Sequence, residues 1–253
     1  YLSETRLQEA AWEATNLEQY DRADSILAEL TRILLSDPVV TDRWGGKGIM
    51  TNYLLTFEGG IQGFFKVAGS DSTGPIRNEL AAYALDNLLR IHLTPITLIR
   101  DLTLPDGTTV SGVIKYFVKA AKTAEDLNLK SEIKPDLLIF FDTVIGNADR
   151  HLGNWMIRDD TKELFAIDHN RTFRFDLEWT WYRRMKTIRD PKALGIPYQR
   201  YKNVSPSAFA KALASHLPAN TIDSFLKSRR IIIRYFDSII GESASIASTS
   251  TAS

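Results

Sequence analysis

Through residues 1–35 apolar positions return at three- and four-residue intervals, and then the texture changes to alternation. Leu7, Ala10, Ala11, Ala14 and Leu17 predict a helix over 3–20, and Ile26, Leu27, Leu30, Ile33 and Leu34 a second over about 22–35. Asp37-Pro38 ends it, because the residue before proline is pushed away from helical dihedrals. Alternating positions then predict strands over 49–57 and 61–67, joined by the turn Glu58-Gly59-Gly60. Beyond Gly74-Pro75 the helical spacing returns in Leu80, Ala84, Leu85, Leu88 and Leu89. Two further strands, 96–102 and 109–119, flank the turn Pro105-Asp106-Gly107.

From Thr123 the pattern predicts mostly helix. "TAED" has the form of a capping box, and "KPDLLIFFDTVIGN" is a strongly apolar helix opening at Pro135. A short strand pair, 154–159 and 163–168, interrupts the helices, and the aromatic, basic segment "FDLEWTWYRRMK" follows. Two helices close the chain, 206–217 behind Ser205-Pro206 and about 220–240. No period of 20 to 50 residues repeats, which removes solenoids and propellers. The sum is an α+β fold in two lobes: a helical extension (1–38), a small lobe around an antiparallel sheet (39–119), a helical lobe (120–241), and a small, polar tail expected to be disordered (242–253).

Composition narrows the partners. In 253 residues, 31 Lys+Arg balance 31 Asp+Glu, so 31 − 31 leaves no net charge to attract nucleic acid or an anionic membrane in bulk. Cysteine is absent, which excludes disulfides, thiolate metal sites and cysteine nucleophiles. No apolar run approaches the roughly 18 residues of a membrane span. The first residue is Tyr1, which leaves room for a removed upstream segment such as a targeting peptide; a soluble protein, cytoplasmic or exported, is the expectation.

The chemistry concentrates in "GNADRHLGNWMIRDDTKELFAIDHN", Gly146 to Asn170. Pairing its two strands draws the loop of Asp149 and Asn154 towards Asp168. Two carboxylates and an amide oxygen are hard ligands that suit Mg²⁺ or Mn²⁺ and a phosphate-bearing substrate. Counter-charge for phosphate is available upstream. The loop "RWGGKG" offers Gly45, Gly46 and Gly48, whose backbone N–H groups can approach phosphate oxygens closely. Lys66 ends the second strand after it, and Glu79 on the next helix is the natural anion to hold that lysine. His151 reads as a hydrogen-bonder shaping the catalytic loop, because Asp149 already offers an acceptor for a proton. Arg171, Arg174, Arg183 and Arg184 follow the metal aspartate and are candidate contacts to an acceptor.

Glycine loop, strand lysine, helix glutamate, acid-to-asparagine loop and a later aspartate stand in the order found in kinases. "DRHLGN" resembles the D-R-H-x-x-N loop of phosphatidylinositol kinases, and "FAIDHN" stands where their I-D-F-G metal motif falls. "NELAAYALDNLL", "IGNADRH" and "FAIDHNRTF" resemble still more the secretory Fam20/Four-jointed kinases and the related HipA-like and bacterial atypical kinases. The resemblance spans about residues 43–175. It implies a bilobal protein-kinase-like fold, ATP with Mg²⁺ or Mn²⁺, Lys66 and Glu79 at the nucleotide phosphates, Asp149 as catalytic base, and Asn154 and Asp168 as metal ligands. The reaction it implies moves the γ-phosphate to a hydroxyl acceptor: protein Ser/Thr, a sugar, an inositol lipid or another small alcohol.

Two other classes compete. His169-Asn170 replaces Phe-Gly after the metal aspartate, which motivates a pseudokinase or nucleotide-binding adaptor. "GNAD" superficially matches one block of metal-dependent phosphoesterases, but the histidine-bearing companion blocks are missing upstream, where only His92 precedes His151.

Overall fold

The computed structural model describes residues 20–44, 51–69, 73–130, 134–175 and 178–250. The helix expected over 3–20 and the glycine loop, with Gly45, Gly46 and Gly48, lie outside the described residues. The small lobe is built on a five-stranded antiparallel sheet: β1 (Val40–Trp44), β2 (Asn52–Thr56), β3 (Gln62–Val67), β4 (Thr97–Thr103) and β5 (Thr109–Tyr116), in spatial order β1-β2-β3-β5-β4. Gly59 and Gly60 both take positive φ, 78° and 79°, so the β2–β3 turn needs the residue type that occupies it. β1 is an addition to the sequence reading; its five residues carry too little alternation to be recognised without the neighbour that pairs with them.

One face of this sheet packs on the amphipathic helix α1 (Tyr20–Leu35), with Ile26, Leu30 and Leu34 meeting Leu55, Phe65 and Ile114. Arg100 on β4 donates to the carbonyls of Leu34 and Ser36, both at 2.8 Å, and so closes the end of α1. α1 therefore braces the small lobe. The other face packs on α2 (Thr73–Leu89), where Ile76 and Leu80 meet Val113.

The larger lobe contains the expected strand pair and adds a third strand to it. β6 (Ala121–Thr123), β7 (Trp155–Arg158) and β8 (Leu164–Ala166) form a three-stranded sheet. At "TAED" the capping-box bonds do form: Asp126 N–H donates to Thr123 Oγ1 at 3.0 Å and Thr123 N–H to Asp126 Oδ2 at 3.2 Å. They close a turn, not a helix, and the chain leaves it through Asn128 at φ 51°. The expected apolar helix is α3 (Asp136–Val144), buried from Leu138 to Val144. Around it stand α4 (Glu178–Met185), α5 (Gly195–Asn203), α6 (Pro206–Leu213) and α7 (Ala219–Ser250). Phe140 lies edge-on to Tyr198, Tyr201 and Phe236, the centre of the larger core. α7 continues helical to Ser250, into the segment expected to be a disordered tail. α5 was invisible to periodicity, since Gly195 and Pro197 open it. Among the described residues no helix is long and apolar enough to cross a membrane.

Candidate active site

Antiparallel pairing sets the first part of the site. Lys66 faces Val113 across the β3–β5 ladder and Phe64 faces Lys115, so both lysines rise from the same face of the sheet. That face packs on α2, and Glu79 in the middle of α2 lies between them. Lys66 Nζ is 3.0 Å from Glu79 Oε1, and Lys115 Nζ pairs with Glu79 Oε2. Lys66 also reaches Asp168 Oδ1 at 3.2 Å, and the backbone N–H of His169 donates to Glu79 Oε2 at 3.0 Å. Glu79 is 2 % exposed; burial opposes its charge, but Lys115 and Lys66 outweigh that and hold its carboxyl well below the usual range. The two lysines respond in opposite directions. Burial works against Lys66, yet Glu79 and Asp168 together raise it above the ordinary lysine value. Lys115 is lowered, since its deeper burial is met by Glu79 while Lys66 repels it.

The second part hangs from a buried ion pair that sequence reasoning missed. Asp142, in the last turn of α3, accepts from Arg150 Nε with both oxygens at 3.1 Å. Arg150 also donates to the carbonyl of Asn154 and, at 2.7 Å, to that of Ile167. One guanidinium thus ties the helix, the loop 149–154 and the strand end before Asp168 to one another. Asn147 extends the network: its Nδ2 donates to Asp142 Oδ1 at 2.8 Å, and its Oδ1 accepts from Asp149 N–H at 2.8 Å. Asn154 Nδ2 donates to the Asp149 carbonyl at 2.8 Å. The available signal was the arginine inside the "DRH" triplet, eight positions after Asp142 at the end of an apolar helix.

Asp168 sits at φ 55°, a conformation that aspartate tolerates better than most residues, and its carboxylate is 37 % exposed. Its neighbour His169 turns the other way. The imidazole is fully buried, edge-on to Phe141 at 6.0 Å, and burial with Arg150 and Lys115 nearby pushes its pKa well below the ordinary value. It is a neutral packing group beneath the site. Asn78 on α2 donates to the carbonyls of Asn170 at 2.9 Å and Thr172 at 3.2 Å, fastening the segment after Asp168 to the small lobe.

A cleft of about 1020 Å³ opens between the lobes, and Lys66, Lys115, Asn154 and Asp168 line it beside Phe64, Tyr116, Phe117, Val118, Met156 and Ile167. Trp44 and Thr51, which flank the glycine loop, also line it. Asp149 is not among the lining residues; its carbonyl joins it to Asn154, which is, and its carboxylate is 3.5 Å from Arg171. His151 does not reach the cleft; it is exposed and accepts from Gly153 N–H through Nδ1 at 3.1 Å, which shapes the turn 152–154. Among the described residues no three acids, histidines or cysteines surround one point, so Asn154 and Asp168 could hold only part of a metal's shell. Their hard oxygens, on the wall of a cleft that Lys66 and Lys115 also line, suit a divalent ion that takes its other ligands from phosphate and water.

A family model, phosphatidylinositol 3- and 4-kinase, matches residues 92–220, just over half of the chain. The chain belongs to that family. The match contains Asp149, Asn154 and Asp168, while Lys66 and Glu79 precede it. The kinase shares its fold with solved structures. The crystal structure of the Golgi casein kinase superposes with a TM-score of 0.57 at 14% identity, over 84% of this chain and 76% of that one. The same enzyme with Mn/ADP bound gives 0.57 at 15% identity over the same shares. Fam20 from hydra, solved with sugar, gives 0.58 at 13% identity, over 85% and 90%. At such identities the likeness is one of fold, and it is bilobal and kinase-like. No curated protein matches the chain in sequence.

Proposed function

We propose that the kinase transfers the γ-phosphoryl group of ATP to a hydroxyl acceptor, with the nucleotide in the cleft between the lobes. The observation that carries this reading is the position of Lys66, bonded at once to Glu79 and Asp168 on the wall of a cleft that Asn154 also lines. In this reading Lys66 meets the nucleotide phosphates. Asn154 and Asp168 would hold Mg²⁺ or Mn²⁺, which when bound neutralises phosphate charge. The Mn/ADP in the Golgi casein kinase supports that choice.

Asp149 is the base in this mechanism. It orients the acceptor hydroxyl, the hydroxyl oxygen bonds to the γ-phosphorus as the bond to the bridging oxygen breaks, and the proton passes to the Asp149 carboxylate. Asn147 and Asn154 fix the backbone on either side of that carboxylate, so the contribution is mainly orientation. Arg171, 3.5 Å from Asp149, stands where an acceptor would enter. The acceptor class follows the family at its broadest: an alcohol on a protein, a sugar or an inositol.

Labelled ATP with Mg²⁺ or Mn²⁺, offered with protein, sugar and inositol-lipid acceptors, tests the reading. Asp168→Ala is expected to abolish metal-dependent turnover and leave the protein folded; normal turnover in that variant would reject it. Nucleotide binding without transfer to any acceptor would favour the adaptor reading instead. His169 offers that alternative no structural support, because it is buried beneath the cleft and does not obstruct it.

A further inference from the structure

Glu79 has two lysines, and a single lysine would satisfy one carboxylate. Lys66 divides itself between Glu79 Oε1 and Asp168 Oδ1, whereas Lys115 contacts Glu79 Oε2. Both stand on one face of the sheet, on neighbouring strands and offset by two residues, and both line the cleft. Lys115 lies deeper, 7 % exposed, between Phe64 on β3 and Thr97 on β4.

We infer that Lys115 is a positioning residue of the nucleotide site: it stays on Glu79 as a fixed counter-ion and so frees Lys66 to move onto phosphate. This rests on the proposed nucleotide site. Consider the charges when a nucleotide and its cation arrive. Asp168 turns to the cation, and Lys66 is needed at the phosphates. Glu79 is almost completely buried, and a buried carboxylate without a cation is strongly disfavoured. With Lys66 as its only ionic partner, Glu79 would hold that lysine back. Lys115 removes the conflict, since Oε2 keeps a cation and the His169 N–H while Oε1 releases Lys66.

The test is direct binding of a fluorescent ADP analogue with Mg²⁺ by the full chain, together with the melting temperature of each variant. Lys115→Met is expected to bind about tenfold more weakly, equivalent to about 1.4 kcal/mol. The steady-state KM for ATP should rise by a similar factor and kcat change by less than about threefold, a split that a merely structural lesion would not produce. Lys115→Arg keeps the cation and should restore affinity to within about threefold of the parent. The decisive comparison is made in a Glu79→Gln background, where no buried charge needs the second lysine. There Lys115→Met should add less than about twofold.

A folded Lys115→Met protein with parental affinity overturns the inference. So does a further loss of about tenfold in the Glu79→Gln background, which would mean that Lys115 acts on phosphate directly. If Lys115→Met alone does not fold, the Glu79→Gln pair decides. Failure of the parent chain to bind nucleotide would reject the nucleotide site itself, a different result from any of these.

Discussion

Replacing Arg150 by methionine removes the guanidinium that joins α3, the loop 149–154 and the strand end at Ile167. Arg150 is 3 % exposed and Asp142 is 1 % exposed, so the surviving carboxylate cannot be rescued by solvent. Asn147 Nδ2, at 2.8 Å, would remain as its hydrogen-bond donor, with Lys134 and Arg184 as the remaining cations in its field. Breaking a buried ion pair from one side costs about 3–5 kcal/mol, and the Ile167 carbonyl loses a donor as well, while that of Asn154 keeps the N–H of Ile167 at 3.0 Å. Against a typical folding free energy of about 5–15 kcal/mol this is a large share. The assay is equilibrium urea unfolding followed by circular dichroism, with an unchanged slope required for comparison. Asp142→Asn combined with Arg150→Met removes the stranded charge. The double variant should therefore lose less than the sum of the singles, by about 0.5–3 kcal/mol. An Arg150→Met loss under about 1 kcal/mol, or strict additivity in the double variant, would refute the idea that this pair holds the two halves of the site together.

Two further perturbations probe the scaffold. A Cβ at Gly112 would lie 2.2 Å from the Lys66 carbonyl oxygen and 2.6 Å from the Phe65 ring, so Gly112→Ala must push β3 away from β5. Destabilisation of about 1–3 kcal/mol with weakened nucleotide binding is expected, and a variant matching the parent in both would contradict the close strand approach. Asp86, buried in α2, accepts from the N–H groups of Leu93 and Thr94, but burial dominates and pushes its pKa up to about 7. The folded protein then binds a proton that the unfolded chain releases. That stability is fully present below about pH 4 and is lost as pH rises through about 7. Melting temperature should fall between about pH 5 and about pH 8 more steeply for the parent than for Asp86→Asn; parallel profiles would show that Asp86 does not titrate in this window.

Local sequence determined much of this molecule. The 3.6-residue pattern of α1, α2, α3 and α6, and the alternation and turn residues of β2–β3 and β4–β5, are written in neighbouring positions, because helices and hairpins bury their apolar faces at fixed short periods. The order of Lys66, Glu79, Asp149, Asn154 and Asp168 was legible for a similar reason: motif spacing is a property of the chain. Tertiary structure decided what periodicity does not encode. β1 exists because β2 offers an edge, and the "TAED" bonds close a turn because Thr123 is also the last residue of β6, paired with Met156 of β7. The placing of Lys115 beside Glu79, of Arg150 on Asp142, and of His169 in the core depends on contacts between residues 8 to 90 positions apart. Those contacts are set by burial, which makes a charge intolerable until a partner from elsewhere in the chain arrives beside it.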